Sequence, residues 1–79
     1  MKTKYKYIHF EETEEITNGE KVWSCKNNRT KAILSKIFFY KQWKEYCFTQ
    51  WEQGVIFNDG CLLDTIDFIK QLNDARKSR

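Results

Sequence analysis

Hydrophobic and polar positions alternate in the first part of the chain. Over residues 4–10, two tyrosines and a histidine share one side of an extended backbone, and a lysine, an isoleucine and a phenylalanine share the other. Period-two alternation with aromatic residues is typical of a β-strand. Strands are also predicted over 21–26, 32–40 and 45–51, with a short fifth strand or extended segment over 55–57. A helix over 32–40 is conceivable, but its β-branched and aromatic residues favour a strand.

Polar segments separate these predicted strands. The acidic residues 11–15 are expected to form a loop, and Asn18-Gly19 is a strong turn signal. The first connection should therefore be longer than a two-residue hairpin. Residues 27–29 predict a second turn, because Asn tolerates left-handed backbone angles. Residues 41–44 are expected to reverse the chain before the fourth strand.

The last segment has helical periodicity. Its apolar stripe is predicted to consist of Leu62, Thr65, Ile66, Ile69 and Leu72, widened by Cys61 and Phe68. Asn58 or Asp59 can cap the helix by accepting hydrogen bonds from free backbone N–H groups. We expect the stripe to pack on the sheet, with Ile66 and Ile69 among the most buried residues.

These elements predict one α+β domain over residues 1–79. It would be an antiparallel β-meander of four or five strands with one C-terminal α-helix packed on one face. The chain has 79 residues, which is room for a single core, and six Phe, four Tyr and three Trp can fill it.

The residues capable of chemistry form no catalytic pattern. His9 has no nucleophile or orienting group at a recognisable spacing, so we interpret it as a structural or surface residue. Cys25, Cys47 and Cys61 are odd in number and too widely spaced to supply pairs of zinc ligands. We expect reduced, partly buried thiols. The sequence therefore predicts a protein that is not an enzyme and has no metal or cofactor.

Basic charge is concentrated in the middle of the chain. Residues 21–57 contain seven lysines and arginines but only two glutamates, and they also carry all three Trp. Basic groups attract phosphates and exposed rings stack on bases, so nucleic-acid binding is one hypothesis. The alternative is that most rings build the core and that the lysines only solvate the strands.

Aromatic residues occupy both sides of the third predicted strand. Ile37 and Phe39 alternate with Phe38 and Tyr40, and one helix can cover only one face of a sheet. A large exposed apolar patch marks a contact site. We therefore favour protein–protein interaction over nucleic-acid binding, through a surface predicted to comprise Phe38, Tyr40, Trp43, Lys36, Lys41 and Lys44.

The same excess of apolar side chains predicts self-association. A two-fold homodimer through the uncovered sheet face or an exposed edge strand needs only one self-complementary patch. The alternative is a monomer in which the aliphatic stems of Lys36, Lys41 and Lys44 half-cover the rings.

Part of the chain is similar to a group of small proteins from bacteriophages and mobile elements. The likeness rests on an aromatic strand over 34–40, a Trp-containing turn over 41–44, Tyr46-Cys47-Phe48, Val55-Ile56-Phe57 and a helix opening with Cys61-Leu62. That group usually has a proline after the Tyr-x-Phe strand, and this chain has none. The resemblance implies phage or mobile-element origin, with host or phage proteins as partners, and no activity.

Location is predicted from what the sequence lacks. No run approaches the 18–20 apolar residues of a membrane helix, and no apolar segment follows the basic N-terminus as in a secretory signal. We expect a protein of the bacterial cytoplasm without membrane contact.

Overall fold

The computed structural model describes all residues from Met1 to Arg79. It contains strands β1 (Ile8–Thr17), β2 (Glu20–Asn27), β3 (Ile33–Tyr40) and β4 (Glu45–Gln50), followed by helix α1 (Asp59–Lys77). The strands form one antiparallel sheet in chain order. The predicted α+β meander with a C-terminal helix is confirmed, with four strands. Residues 55–57 are extended but join no strand.

The first strand differs from its prediction at both ends. Residues 4–7 precede β1 and fold back on it, with Lys4 bridging His9. The acidic segment expected to be a loop lies within β1, which pairs with β2 up to Glu12, shifts register, and pairs again from Ile16. Only the backbone is needed for such pairing, so the glutamates stay in β1 with their side chains exposed. Asn18 and Gly19, at φ 54° and 78°, then form a tight two-residue hairpin, so the predicted longer connection is wrong.

The core lies between α1 and one face of the sheet, which we call the inner face. Each strand contributes residues to it, and α1 adds three more; the members are Ile8, Phe10, Cys25, Ile37, Phe39, Tyr46, Cys61, Phe68 and Leu72. The ring of Phe68 stacks on that of Phe10, with centroids 4.1 Å apart. The Trp23 ring contacts the Phe68 ring edge-on, with centroids 5.1 Å apart. This aromatic contact fixes the helix on the sheet.

The buried side of α1 is rotated from the predicted one. Its buried residues are Cys61, Thr65, Phe68 and Leu72. Ile66, predicted to be among the most buried residues, is 52% exposed, and Ile69 is only half-buried. The prediction was wrong because two apolar stripes overlap on this helix, and the stack on Phe10 selects the one that contains Phe68. The predicted cap is confirmed at Asn58, whose Oδ1 accepts from the Cys61 amide at 2.7 Å.

Polar contacts tie the middle and the C-terminal end of the helix to the rest of the fold. At its middle, the Tyr5 hydroxyl donates to Asp67 at 2.8 Å. Near its end, Glu20 accepts from Arg76, Arg79 and the hydroxyl of Tyr46. The hydrogen bond from Arg79 lowers the pKa of the Glu20 carboxyl. Glu20 therefore clamps β2 to the C-terminal turn of α1 and to β4.

Candidate interaction surface

Three aromatic residues form a continuous surface on the outer face of the sheet, the face away from α1. Phe38 and Tyr40 alternate with the buried Ile37 and Phe39, as predicted, and their rings meet edge-on at 6.2 Å. Trp43 continues the row, with its ring 5.0 Å from that of Tyr40. We call Phe38, Tyr40 and Trp43 the aromatic patch. It lines a shallow concavity together with Cys47 and Thr49 of β4, which face the same side of the sheet.

The turn between β3 and β4 presents Trp43 to solvent. The amides of Trp43 and Lys44 donate to the carbonyls of Tyr40 and Lys41, and Lys44 takes φ 54° to let the chain reverse. The reversal predicted over 41–44 is thus confirmed. The Trp43 side chain is 69% exposed although its ring rests against Tyr40. A large ring held in a defined position but exposed to water is available for contact.

The three lysines predicted for this surface lie in different environments. Lys36 extends across the outer face, with its ammonium 3.5 Å from Glu15 and 4.7 Å from the Trp51 ring centroid. Its side chain is only 16% exposed. Lys41 and Lys44 are exposed on the turn, on either side of Trp43. The structure therefore brings the three rings together, places Lys41 and Lys44 on the turn that carries Trp43, and keeps Lys36 in internal contacts.

A second concavity beside the turn was not predicted from the sequence. Lys41, Lys44 and Arg76 line it with Asn18 and Phe39, and we call it the basic concavity. The Arg76 guanidinium lies 4.1 Å from the Phe39 ring centroid and also binds Glu20. No sequence signal could have identified it, because its cations belong to a turn and to a distant helix end that only the fold brings together.

The β1–β2 half of the outer face is polar and internally paired. His9 contacts Asn28 at 2.7 Å and Glu11 at 3.2 Å, and Lys26 binds Glu11 at 2.7 Å. The hydrogen bond from Lys26 lowers the pKa of the Glu11 carboxyl. Asn28 also donates to the carbonyls of Tyr5 and Lys6. His9 therefore acts structurally, because it orients the side chain that holds the N-terminal segment.

The cysteines occur as free thiols. Cys25 and Cys61 are buried, and Cys47 is half-buried on the outer face. Burial raises the pKa of the Cys25 thiol to about 11, so this thiol is protonated at neutral pH. No three His, Cys, Asp or Glu side chains lie close enough together to hold a metal ion.

Comparison with protein-family models found no match, and comparisons with curated proteins and with solved structures found none. The single helix, α1, is not apolar enough to span a membrane.

Proposed function

We propose that this chain is a non-enzymatic binding module that recognises another protein through the aromatic patch. The observation that carries the proposal is the exposed ring of Trp43, held edge-on against Tyr40 next to Phe38. Following the resemblance to phage and mobile-element proteins, the partner is a host or phage protein of the bacterial cytoplasm.

The geometry of the patch suits a binding hot spot. Trp and Tyr are the residues most enriched where truncation to Ala costs about 2 kcal/mol or more of binding energy. Tyr40 and Phe38 are half-buried in the sheet, and Trp43 is positioned by Tyr40, so little side-chain freedom is lost on binding. Lys41 and Lys44 add a charged rim beside the exposed ring.

Affinity capture from a bacterial lysate with matched variants tests the proposal. Trp43→Ala should lose the captured protein, whereas Ile56→Ala, at a residue that is 88% exposed and outside the patch, should retain it. Direct titration of the recovered partner should show an affinity loss of about 30-fold or more for Trp43→Ala. Equal affinity for both variants would contradict the proposal.

One observation favours nucleic acid as a second candidate. Lys41 and Lys44 flank Trp43, and both share the basic concavity with Arg76. A single strand could stack a base on Trp43 while its phosphates meet these cations. The pairing of Lys36 with Glu15 and of Arg76 with Glu20 reduces the free positive charge, so this candidate ranks second.

Salt dependence separates the two candidates. Binding of a single-stranded oligonucleotide should weaken steeply as salt rises, and Lys41→Gln with Lys44→Gln should reduce that slope. An affinity that does not respond to salt or to these substitutions would exclude the nucleic-acid reading.

A further inference from the structure

The outer edge of β4 is open. The hydrogen bond from the Trp51 amide to the Leu34 carbonyl shows which residues of β4 direct their backbone groups towards β3. Because alternate residues of a strand direct their backbone groups to opposite sides, Tyr46, Phe48 and Gln50 direct theirs away from the sheet. The Tyr46 amide is bound by the Asn73 side chain at 2.8 Å. No protein group binds the amides of Phe48 and Gln50.

The opposite edge of the sheet, at β1, is covered. The Phe10 amide donates to the Thr3 carbonyl at 2.9 Å, and Lys4 pairs with His9. Further along, β1 has a register irregularity between Glu12 and Ile16 and several glutamates. Bulges, charges and covering segments are the usual means by which proteins block pairing at an edge. In contrast, β4 is regular and has one charged residue, Glu45, and no lysine or proline.

An apolar stripe of α1 runs alongside this open edge. Leu62 and Ile66 lie on the same side of the helix as Asn73, which reaches Tyr46 in β4, and they are 40% and 52% exposed. Phe48 faces the same side of the sheet, since it pairs with the core residue Ile37, and it is 42% exposed. The open backbone edge and the exposed apolar side chains therefore form one surface. We call it the β4 edge surface.

We infer that the β4 edge surface binds a second copy of this chain. The two β4 strands pair antiparallel about a two-fold axis, with Phe48 opposite Phe48 of the second copy, and the sheet becomes eight-stranded. The two α1 helices then lie on the same side of the joined sheet and bring Leu62 and Ile66 of each copy towards the junction. Such an isologous contact uses the same patch twice.

Charge complementarity supports both a second copy as the partner and the pairing register with Phe48 at its centre. With Phe48 at the centre, Lys44 in the turn before β4 comes to the same end of the junction as Glu52, just after β4 of the second copy, and Glu45 lies near Trp51, so no like charges are opposed. Shifting the pairing by two residues moves each Lys44 about two residue spacings further from Glu52 of the other copy. A shift by one residue brings outward backbone groups opposite inward ones and loses the hydrogen bonds. One register therefore satisfies charge and backbone together.

This dimer does not use the rings of the aromatic patch. The aromatic patch lies on the outer face, whereas Phe48, Leu62 and Ile66 lie on the inner side of the sheet. The two aromatic patches would lie side by side across the joined β4 strands.

A designed disulfide tests the register. The pairing places Cys47 opposite Thr49 of the second copy, in a pair without mutual hydrogen bonds, where Cα atoms are about 4.5 Å apart, within disulfide reach. Under mild oxidation, Thr49→Cys should become a covalent dimer on a non-reducing gel. The control Gln50→Cys, whose side chain points to the other face, should not. Cross-linking of both variants, or of neither, would overturn the inference.

Sedimentation equilibrium under reducing conditions tests the interface in solution. The wild-type protein should approach twice its 9.6 kDa mass at micromolar concentration. Ile66→Asp should raise the dimer dissociation constant at least tenfold and leave the helical circular dichroism unchanged, because Ile66 is exposed in the monomer. Trp43→Ala should dimerise as the wild type does, even where it loses a partner protein. A single 9.6 kDa species at all concentrations, or dissociation by Trp43→Ala but not by Ile66→Asp, would overturn the inference.

Discussion

The two halves of the sheet satisfy their side chains and their backbone in different ways. On the β1–β2 half, His9, Glu11 and Lys26 pair with one another or with Asn28, and the N-terminal segment covers the edge. On the β3–β4 half, large rings are exposed and the edge amides of Phe48 and Gln50 have no partner. In the first half, the polar side chains and the edge backbone have partners within the protein. In the second half, aromatic rings and edge amides remain without one, as is typical of a contact surface.

Under the proposed function, this difference separates the residues that hold the fold together from those that bind a partner. The aromatic contact that holds α1 joins it to β1 and β2, through Phe10 and Trp23. The rings of the aromatic patch contact one another and make no ring contact with α1. Substitutions in the first set should therefore destabilise the protein, and those in the second should have little effect on its stability.

The largest expected effect is at Phe68. Truncation to Ala removes a fully buried ring stacked on Phe10 and should lower the free energy of unfolding by about 3–5 kcal/mol. Phe68→Leu should lose less and keep a measurable urea transition. In dilute protein, Ile66→Ala should cost under about 1 kcal/mol, because Ile66 is exposed. An equal loss for Ile66→Ala and Phe68→Ala would mean that the helix packs by its other stripe.

The second effect is a pH dependence centred on Glu20. Its pKa is lowered in the folded protein, chiefly by the hydrogen bond from Arg79. The carboxylate therefore stabilises the fold above its unfolded pKa of 4.5, and this contribution is lost as the pH falls through the lower folded value. Urea unfolding between neutral and acid pH should show a shallower decline for Glu20→Gln than for the wild type. An unchanged pH profile would show that the clamp does not form in solution.

A smaller effect is expected at the helix cap. Asn58→Ala removes the acceptor for the Cys61 amide and should cost about 1 kcal/mol of unfolding free energy. Asn58→Asp keeps a capping oxygen and should stay within a few tenths of a kcal/mol of the wild type. If thermal unfolding shows the same stability for Asn58→Asp and Asn58→Ala, another group accepts the hydrogen bond from the Cys61 amide.

The smallest effect on stability is expected at Trp43. Its ring is mostly exposed, so Trp43→Ala should change the free energy of unfolding by less than about 0.5 kcal/mol. A loss of several kcal/mol in a urea titration would mean that Trp43 is needed for folding. It would remove the main support for the aromatic patch as a binding surface.

Local pattern was sufficient to predict most of the fold. Alternation and β-branched residues located β2, β3 and β4, and helical spacing with a capping Asn located α1. The prediction failed where backbone pairing outweighed side-chain character, as in the acidic part of β1, whose partner is the neighbouring β2. It also failed for the buried side of α1, because the deciding contact joins Phe68 to Phe10, far away in sequence.

The candidate site was predictable to a similar extent. The parity of β3 correctly placed Phe38 and Tyr40 on the face opposite Ile37 and Phe39. The pairing of Lys36 with Glu15 could not be predicted, since the sequence predicts a loop at Glu15. The open edge of β4 could not be predicted either. The sequence shows neither which strands lie at the edges of the sheet nor which edge the N-terminal segment covers.

Amide hydrogen exchange of Phe10 and Phe48 tests the contrast between the two halves most directly. Both amides point outward from an edge strand, but only that of Phe10 has a partner, the Thr3 carbonyl. The Phe10 amide should be protected at every protein concentration. The Phe48 amide should exchange rapidly in dilute protein and slow by tenfold or more as concentration rises and the second copy binds. Strong protection of Phe48 in dilute protein, or an exchange rate independent of concentration, would contradict this contrast.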